Sequence, residues 1–450
     1  MKKLYIIGAA ACLLSACHPN VKVTPNPTKG NANFTTYLAV GNSLTAGYAD
    51  GSLYLSGQLN SYPERLFEQF QSVGSDGKFI QPLLKTDFGF PGPKFIMAVT
   101  THCDGSTSLG PAPYAGHIDT TGNIEHVSGH INNIGVPGIR IADYDVASYA
   151  TIAYYGGGAP YAYRFYNNVA GTPQDELIYR VNDLQPTFFT CWLGANDVLG
   201  YATSGGQGNG DGTAVPLGAN LYANGDITPD SVFKHLYDAA VTVLINNGAK
   251  GVLINIPDVT SIPYFTAIPA KGLILRQGQA DTLNAIYAGH ATFVAGANYF
   301  VITDHDGHIR NAFPNELIML TTPQDSLLCA GWGSVKPIPA AYVLDQGEIQ
   351  NAQKATAFFN SVIKDEAAKH NLVYVDMNAY LKTLSSGITF GGVTYTAQFV
   401  TGGAFSLDGV HLTPRGYALA ANQIINSINA FYHSTIPTID VNKYDGVKFP

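Results

Sequence analysis

Residues 37–47 read YLAVGNSLTAG, a short apolar run that leads directly into a turn of small residues. The run does not alternate between apolar and polar side chains, which favours a parallel strand covered on both faces. The turn places Ser43 just beyond the carboxyl end of this strand. A serine on such a turn is exposed above the sheet edge, where its hydroxyl can act as a nucleophile. The alternative is a structural connection or a phosphate-binding loop, although the lysine of a phosphate loop is missing.

Four further apolar runs of this kind follow, at 130–136, 187–193, 251–256 and 372–375. Apolar residues at helical spacing predict helices at 62–71, 231–247, 273–288, 348–370 and 413–431. In the last of these, Thr413 is a natural N-cap and Pro414 a natural first helical residue. Strands that alternate with helices predict an α/β fold with a parallel sheet.

Three long segments, 50–129, 201–228 and 259–346, interrupt this alternation and are interpreted as insertions in one domain that spans 34–450. Functional loops of such folds lie at the carboxyl ends of the strands, above the active site. The three insertions are therefore expected to shape the access of a substrate.

A serine nucleophile needs a base, and residues 406–416, SLDGVHLTPRG, offer one. Asp408 precedes His411 by three residues, just before the predicted last helix. In a compact turn this spacing lets the carboxylate bind the Nδ1–H of His411 and leaves Nε2 free for Ser43. The alternative is a solvated loop histidine beside a capping aspartate.

Donors for a developing oxyanion follow two other predicted strands. Gly138 lies after the run 130–136, and Asn196 follows the run 187–193. Acyl transfer places negative charge on the carbonyl oxygen, and neutral donors stabilise that charge. The backbone N–H groups of Ser43 and Gly138 and the side chain of Asn196 would supply three. Alternatively, Asn196 belongs to an ordinary turn after a strand.

The order of these motifs resembles that of the SGNH hydrolases, also called the GDSL lipase/esterase family. The resemblance covers residues of about 36 to 433 and implies a flavodoxin-like α/β/α sandwich with a five-stranded parallel sheet. It assigns Ser43 as the nucleophile, His411 as the base, Asp408 as the acid, and Ser43, Gly138 and Asn196 as the oxyanion hole. The family's usual aspartate before the serine is replaced by Asn42, which can still hold a turn through its side chain.

The resemblance implies a carboxylic ester hydrolase that works through an acyl-serine intermediate. Lipid esters or small acyl esters are the expected substrates, and no cofactor is expected. Acyl groups on carbohydrates remain an alternative, as does a non-catalytic lipoprotein that keeps the fold and binds a glycan.

The first residues indicate export. Lys2 and Lys3 precede an apolar run at 4–14 that is too short to span a bilayer, as in a signal peptide. The following LSAC resembles a bacterial lipobox, so cleavage of residues 1–16 and lipidation of Cys17 are expected, with 17–33 as a flexible tether. The protein would then be anchored in the bacterial cell envelope, at the outer membrane. The alternative is an ordinary signal peptide with a chance cysteine.

Composition excludes some partners. The formal net charge is −8, and lysine and arginine do not cluster, which argues against a nucleic acid. Cys103, Cys191 and Cys329 fit no zinc-binding pattern; Cys191 is expected in the core, and a Cys103–Cys329 disulfide is left open. The acidic and histidine-rich stretch 303–308 is interpreted as a surface turn, so no metal is predicted.

Overall fold

A computed structural model describes residues 26–116, 125–151, 159–210 and 225–450. The predicted signal peptide, Cys17, most of the tether and part of the second insertion lie outside the described residues.

The strands within these ranges are β1 (Tyr37–Gly41), β2 (Phe95–Thr101), β3 (Thr107–Pro113), β4 (Asn133–Gly135), β5 (Phe188–Trp192), β6 (Lys250–Ile254), β7 (Leu273–Leu275), β8 (Gly296–Asn298), β9 (Val301–Thr303), β10 (Ile309–Asn311), β11 (Leu317–Ile318), β12 (Val343–Leu344), β13 (Val373–Val375), β14 (Ile388–Phe390) and β15 (Val393–Tyr395). The α-helices are α1 (Ser43–Ala46), α2 (Leu55–Leu59), α3 (Tyr62–Ser72), α4 (Ala159–Tyr163), α5 (Pro173–Leu184), α6 (Asn196–Thr203), α7 (Asp230–Ile245), α8 (Pro263–Thr266), α9 (Gln277–Ile286), α10 (Gln324–Leu328), α11 (Gln346–Lys369), α12 (Met377–Lys382) and α13 (Pro414–Tyr432).

The five predicted strands form one parallel sheet in the order β13-β6-β5-β1-β4. Counted along the chain this is the order 2-1-3-4-5 of flavodoxin-like folds, so the predicted fold class is confirmed. All residues of β1 and β5 are buried, which explains why their sequences run apolar without alternation. The order reverses between β1 and β5, and ligands of such sheets bind beyond the carboxyl ends at this point.

Helices flank the sheet in two packed groups, α3 with α13 and α5 with α7 and α11. Their apolar faces join the strands in one large core. Helix α3 lies inside the stretch 50–129 that was interpreted as an insertion, but it packs on α13 and therefore belongs to the core layers. Cys191 is buried in β5, as expected for a core residue.

The predicted helix 273–288 is wrong at its beginning. Leu273–Leu275 forms β7, which pairs with β8 in an antiparallel hairpin, and α9 begins only at Gln277. Arg276 adopts an extended backbone, and its N–H donates to the side-chain oxygen of Gln279 at 2.9 Å, which marks the start of α9 and separates the two elements. The apolar triplet therefore serves a hairpin instead of a helix face.

The insertions carry structure of their own. The first contains the long hairpin β2–β3, and the third holds β7 to β12 around two small apolar cores. A disulfide joins Cys103, at the tip of the β2–β3 hairpin, to Cys329 after α10, so the pairing left open by the sequence is present. In the described part of the chain, none of the helices has both the length and the apolar character to cross a bilayer.

Candidate active site

The turn after β1 holds Ser43 in place. Asn42 caps α1 by accepting the Leu44 N–H at 3.0 Å, so asparagine performs the turn-holding role expected of it. Gly41 must lack a side chain, because a Cβ there would lie 2.0 Å from the hydroxyl oxygen of Thr45. Gly47 ends the helical turn with a φ of 82°, a conformation that favours glycine. Ser43 therefore stands on a short, tightly closed turn at the sheet edge.

The structure brings Ser43, His411 and Asp408 together across most of the chain. The Nε2 atom of His411 lies 2.8 Å from the Ser43 hydroxyl oxygen, and its Nδ1 lies 2.9 Å from Oδ2 of Asp408. The serine is only 7 % exposed, and the histidine side chain 14 %. This is the arrangement that the sequence spacing predicted.

Asp408 accepts a dense set of hydrogen bonds. Its Oδ1 accepts the N–H groups of Val410 and His411, both at 2.8 Å, and the hydroxyl of Ser406 at 3.1 Å. Its Oδ2 also accepts the N–H of Gly51 at 2.8 Å. Burial acts to raise the pKa of Asp408, but His411 and these donors more than offset it and hold the pKa well below its usual range. The carboxylate is therefore ionised at neutral pH.

Tyr48 supports the imidazole from one side. Its ring centroid lies 4.6 Å from that of His411, tilted by 51°, and its hydroxyl donates to the Gly51 carbonyl at 2.5 Å. Burial raises the pKa of Tyr48 to about 12, so the hydroxyl stays neutral. Sequence reasoning missed both Tyr48 and Gly51; the one available signal was that they follow Ser43 by a few residues.

The segments that carry the predicted oxyanion donors lie at the same edge of the sheet. Because β4 and β5 both pair with β1, the segments after these three strands are neighbours. Gly138, with a φ of 83°, lies after β4, and Asn196 is the first residue of α6. Asn196 Nδ2 donates to the Ile139 carbonyl at 2.9 Å, which ties α6 to the Gly138 segment. The same amide nitrogen carries a second N–H, as an oxyanion donor requires.

Asp197 also binds the segment that follows Gly138. Its carboxylate accepts the N–H groups of Ile141 and Ala142 at 2.8 and 3.2 Å, and the hydroxyl of Thr228 at 2.7 Å. Burial raises the pKa of Asp197 to about 7, although these bonds act in the opposite direction. Asp197 thus anchors the segment that carries Gly138, a role that its position after a strand did not reveal.

The stretch 303–308 forms a turn between β9 and β10. Asp304 binds Arg310 at 3.1 Å and caps the turn through the His308 N–H. His305 instead faces Glu348, at 3.2 Å.

Within the described ranges, one other group has the spacing of a metal site: Asp238, Glu366 and His370. The Lys369 ammonium already contacts both carboxylates there and supplies the positive charge.

Comparison with known proteins identifies the family of the chain. The sequence matches the model of the GDSL-like Lipase/Acylhydrolase family over residues 37–424, and the chain belongs to this family. No curated protein sequence matches it.

The solved structures that are similar to the chain include three esterases and lipases. A GDSL-like lipase of Parabacteroides merdae is 11 % identical with a TM-score of 0.33, covering 90 % of this chain and 99 % of its own. A family 3 carbohydrate esterase of Clostridium thermocellum is 14 % identical with a TM-score of 0.32, covering 88 % and 96 %. A lipase/acylhydrolase of Enterococcus faecalis is 13 % identical with a TM-score of 0.31, covering 90 % and 98 %.

Proposed function

We propose that the protein hydrolyses carboxylic esters through an acyl-serine intermediate, with Ser43 as the nucleophile. The observation that carries this proposal is the 2.8 Å contact between His411 Nε2 and the Ser43 hydroxyl, continued to Asp408 on the other side of the ring. A serine hydroxyl is a weak nucleophile unaided, and this contact gives it a base.

In the proposed reaction, Ser43 Oγ attacks the ester carbonyl carbon while His411 Nε2 takes the hydroxyl proton. Asp408 accepts the Nδ1–H, which keeps the ring in the right tautomer and stabilises its charged form. The Ser43 and Gly138 N–H groups and the Asn196 amide stabilise the oxyanion. His411 then gives its proton to the departing alcohol, and a water molecule, activated by the same histidine, releases the acid.

The substrate proposed is a lipid ester or a small acyl ester, with acylated carbohydrate as the alternative. A panel of nitrophenyl esters from acetate to palmitate, beside phospholipid and acetylated xylan, separates these classes by relative kcat/KM. Preference for long chains and phospholipid supports the first, and preference for acetate with acetylated xylan supports the second. Binding of glycan without hydrolysis of any ester would indicate the non-catalytic alternative.

The nucleophile is tested with a fluorophosphonate probe. We expect rapid labelling that mass mapping assigns to Ser43, and loss of labelling in Ser43→Ala. Ser361→Ala, on the exposed face of α11, is the matched control and should label like the wild type. An adduct on another serine, or an active preparation that gives no adduct, would show that the assignment is wrong.

We also propose that the protein is lipid-anchored in the cell envelope through Cys17. The signal-like segment and the lipobox-like sequence before Cys17 support this. The Cys103–Cys329 disulfide adds independent support for an exported protein, because disulfides persist mainly in oxidising compartments.

A further inference from the structure

The acid loop, residues 406–411, carries Asp408 and is held by a corner at the start of the first insertion. This corner consists of Asp50 and Gly51. Asp50 Oδ1 accepts the Leu407 N–H at 3.0 Å, and the Asp50 N–H donates to the Ser406 hydroxyl oxygen at 3.0 Å. Gly51 then donates its N–H to Asp408 Oδ2. Three consecutive residues of the acid loop are thus bound by two consecutive residues that lie more than 350 positions earlier in the chain.

The backbone conformation of Asp50 and its contacts with Tyr54 and Phe95 hold the corner in place. Asp50 has a φ of 52°, a left-handed conformation that aspartate and asparagine tolerate better than most residues. Its Oδ2 accepts the hydroxyl of Tyr54 at 2.7 Å, and its carbonyl accepts the Phe95 N–H at the start of β2 at 2.7 Å. The side chain is therefore fixed on both oxygens, and both partners act as donors, as a carboxylate requires.

Asp50 is also a second carboxyl group beside Asp408. Burial and the charge of Asp408 act to raise the pKa of Asp50, while Leu407, Tyr54 and Lys94 act to lower it. The charged and titratable groups that face it are Tyr54, Lys94, Asp408 and Tyr417. The Lys94 ammonium nitrogen lies 4.1 Å from the centroid of the Tyr54 ring, and the Tyr54 hydroxyl donates to Asp50, so Lys94 brings a positive charge near this carboxyl group.

We propose that Asp50 is a positioning residue for the reaction proposed above: it sets the Asp408 loop through Leu407 and Gly51, and its charge stabilises the imidazolium that forms on His411. The inference rests on the proposed function, because it assigns Asp50 a part in the same proton transfer. A merely structural brace would support folding of the loop without influencing that proton transfer.

Two variants separate these roles. Asp50→Asn keeps an acceptor for the Leu407 N–H and tolerates the positive φ, but it removes the charge. Asp50→Gly keeps the backbone conformation and removes the whole side chain. The matched control is Asp345→Asn, which loses the charge of a carboxylate that caps α11.

We measure kcat and KM on a nitrophenyl ester, and the pH dependence of kcat/KM and of fluorophosphonate labelling. Asp50→Asn should lower kcat by about threefold to tenfold with KM nearly unchanged, because loss of one nearby charge weakens the imidazolium. The acid limb of both pH profiles should move to lower pH by roughly 0.3 to 1 unit. Asp50→Gly should lower kcat by about 10²-fold with at least the same displacement, since positioning is lost as well. Asp345→Asn should leave both profiles in place.

Unchanged kcat and unchanged profiles in Asp50→Asn would overturn the charge role. If the variants only reduce the fraction of folded protein, and kcat per fluorophosphonate-labelled active site equals that of the wild type, the positioning role is overturned. If the wild type itself neither hydrolyses esters nor labels at Ser43, the proposed function fails, and this inference fails with it. If the wild type reacts and both variants match it, only this inference fails.

Discussion

Replacing Asp408 by asparagine changes one carboxylate oxygen into an amide nitrogen, and the contacts of Asp408 predict the effect on kcat. Its Oδ1 side can still accept the N–H groups of Val410 and His411. On the Oδ2 side, however, the new Nδ2 would face two donors, the Gly51 N–H and the Nδ1–H of His411. The imidazole relieves this clash by moving its proton to Nε2, which then points at Ser43 and cannot act as a base.

We therefore expect Asp408→Asn to lower kcat by about 10⁴-fold, or about 5.5 kcal/mol of transition-state stabilisation, with KM much less affected. The Gly51 N–H loses its acceptor, which costs roughly 1–3 kcal/mol of the free energy of unfolding. Asp408→Ala leaves more donors unpaired and should unfold more easily, so asparagine is the more informative change.

The assay is steady-state hydrolysis of a nitrophenyl ester, with rates normalised to the folded fraction from circular dichroism. Asp345→Asn is again the control for loss of a carboxylate. A folded Asp408→Asn enzyme with kcat within tenfold of the wild type would refute the reasoning, because His411 would then keep its tautomer without the acid.

The remaining predictions concern the other site residues and the anchor. Ser43→Ala and His411→Ala should each remove nearly all activity, and the double variant should lose almost nothing more; losses that multiply would contradict a nucleophile–base pair. Asn196→Ala should lower kcat by about 10²–10³, and a smaller loss would exclude it as an oxyanion donor. Hydrolysis should survive EDTA and fall at acid pH as His411 is protonated; inhibition reversed by a divalent ion would contradict this. Cys17→Ser should abolish membrane partitioning, whereas unmodified, soluble wild-type protein would refute the anchor.

The sheet could be predicted because its signal is local. A parallel strand covered on both faces needs an unbroken apolar run, and all five runs became strands with boundaries displaced by a few residues. The predicted helix 273–288 was wrong at its beginning because a local signal alone could not decide there. A triplet such as Leu273–Leu275 is apolar in a hairpin and in a helix alike, and only the distant partner strand β8 decides between them.

The arrangement of Ser43, His411 and Asp408 in the candidate site was also predictable. Asp408 and His411 are three residues apart, and Ser43 lies at the end of a recognisable strand, so chemistry and spacing sufficed. Asp50, Gly51 and Asp197 were not found, because each acts through a partner far away in the chain and leaves no local pattern. Gly51 contributes a backbone N–H, a group that every residue except proline carries, so its residue type gives no signal of this role.

Two of the insertions contact the loop that carries Asp408 and His411. The first insertion reaches the acid loop through Gly51, and the third reaches it from another side, where the Tyr264 N–H donates to the Gly409 carbonyl at 2.9 Å. The Cys103–Cys329 disulfide ties these same two insertions to each other. The pair Asp408–His411 is close in sequence, but its loop is held between two segments that are remote in sequence. The geometry of this local pair therefore depends on the insertions that surround it. A misplacement of about 1 Å can cost 10²-fold in rate, so this dependence matters for the proposed reaction.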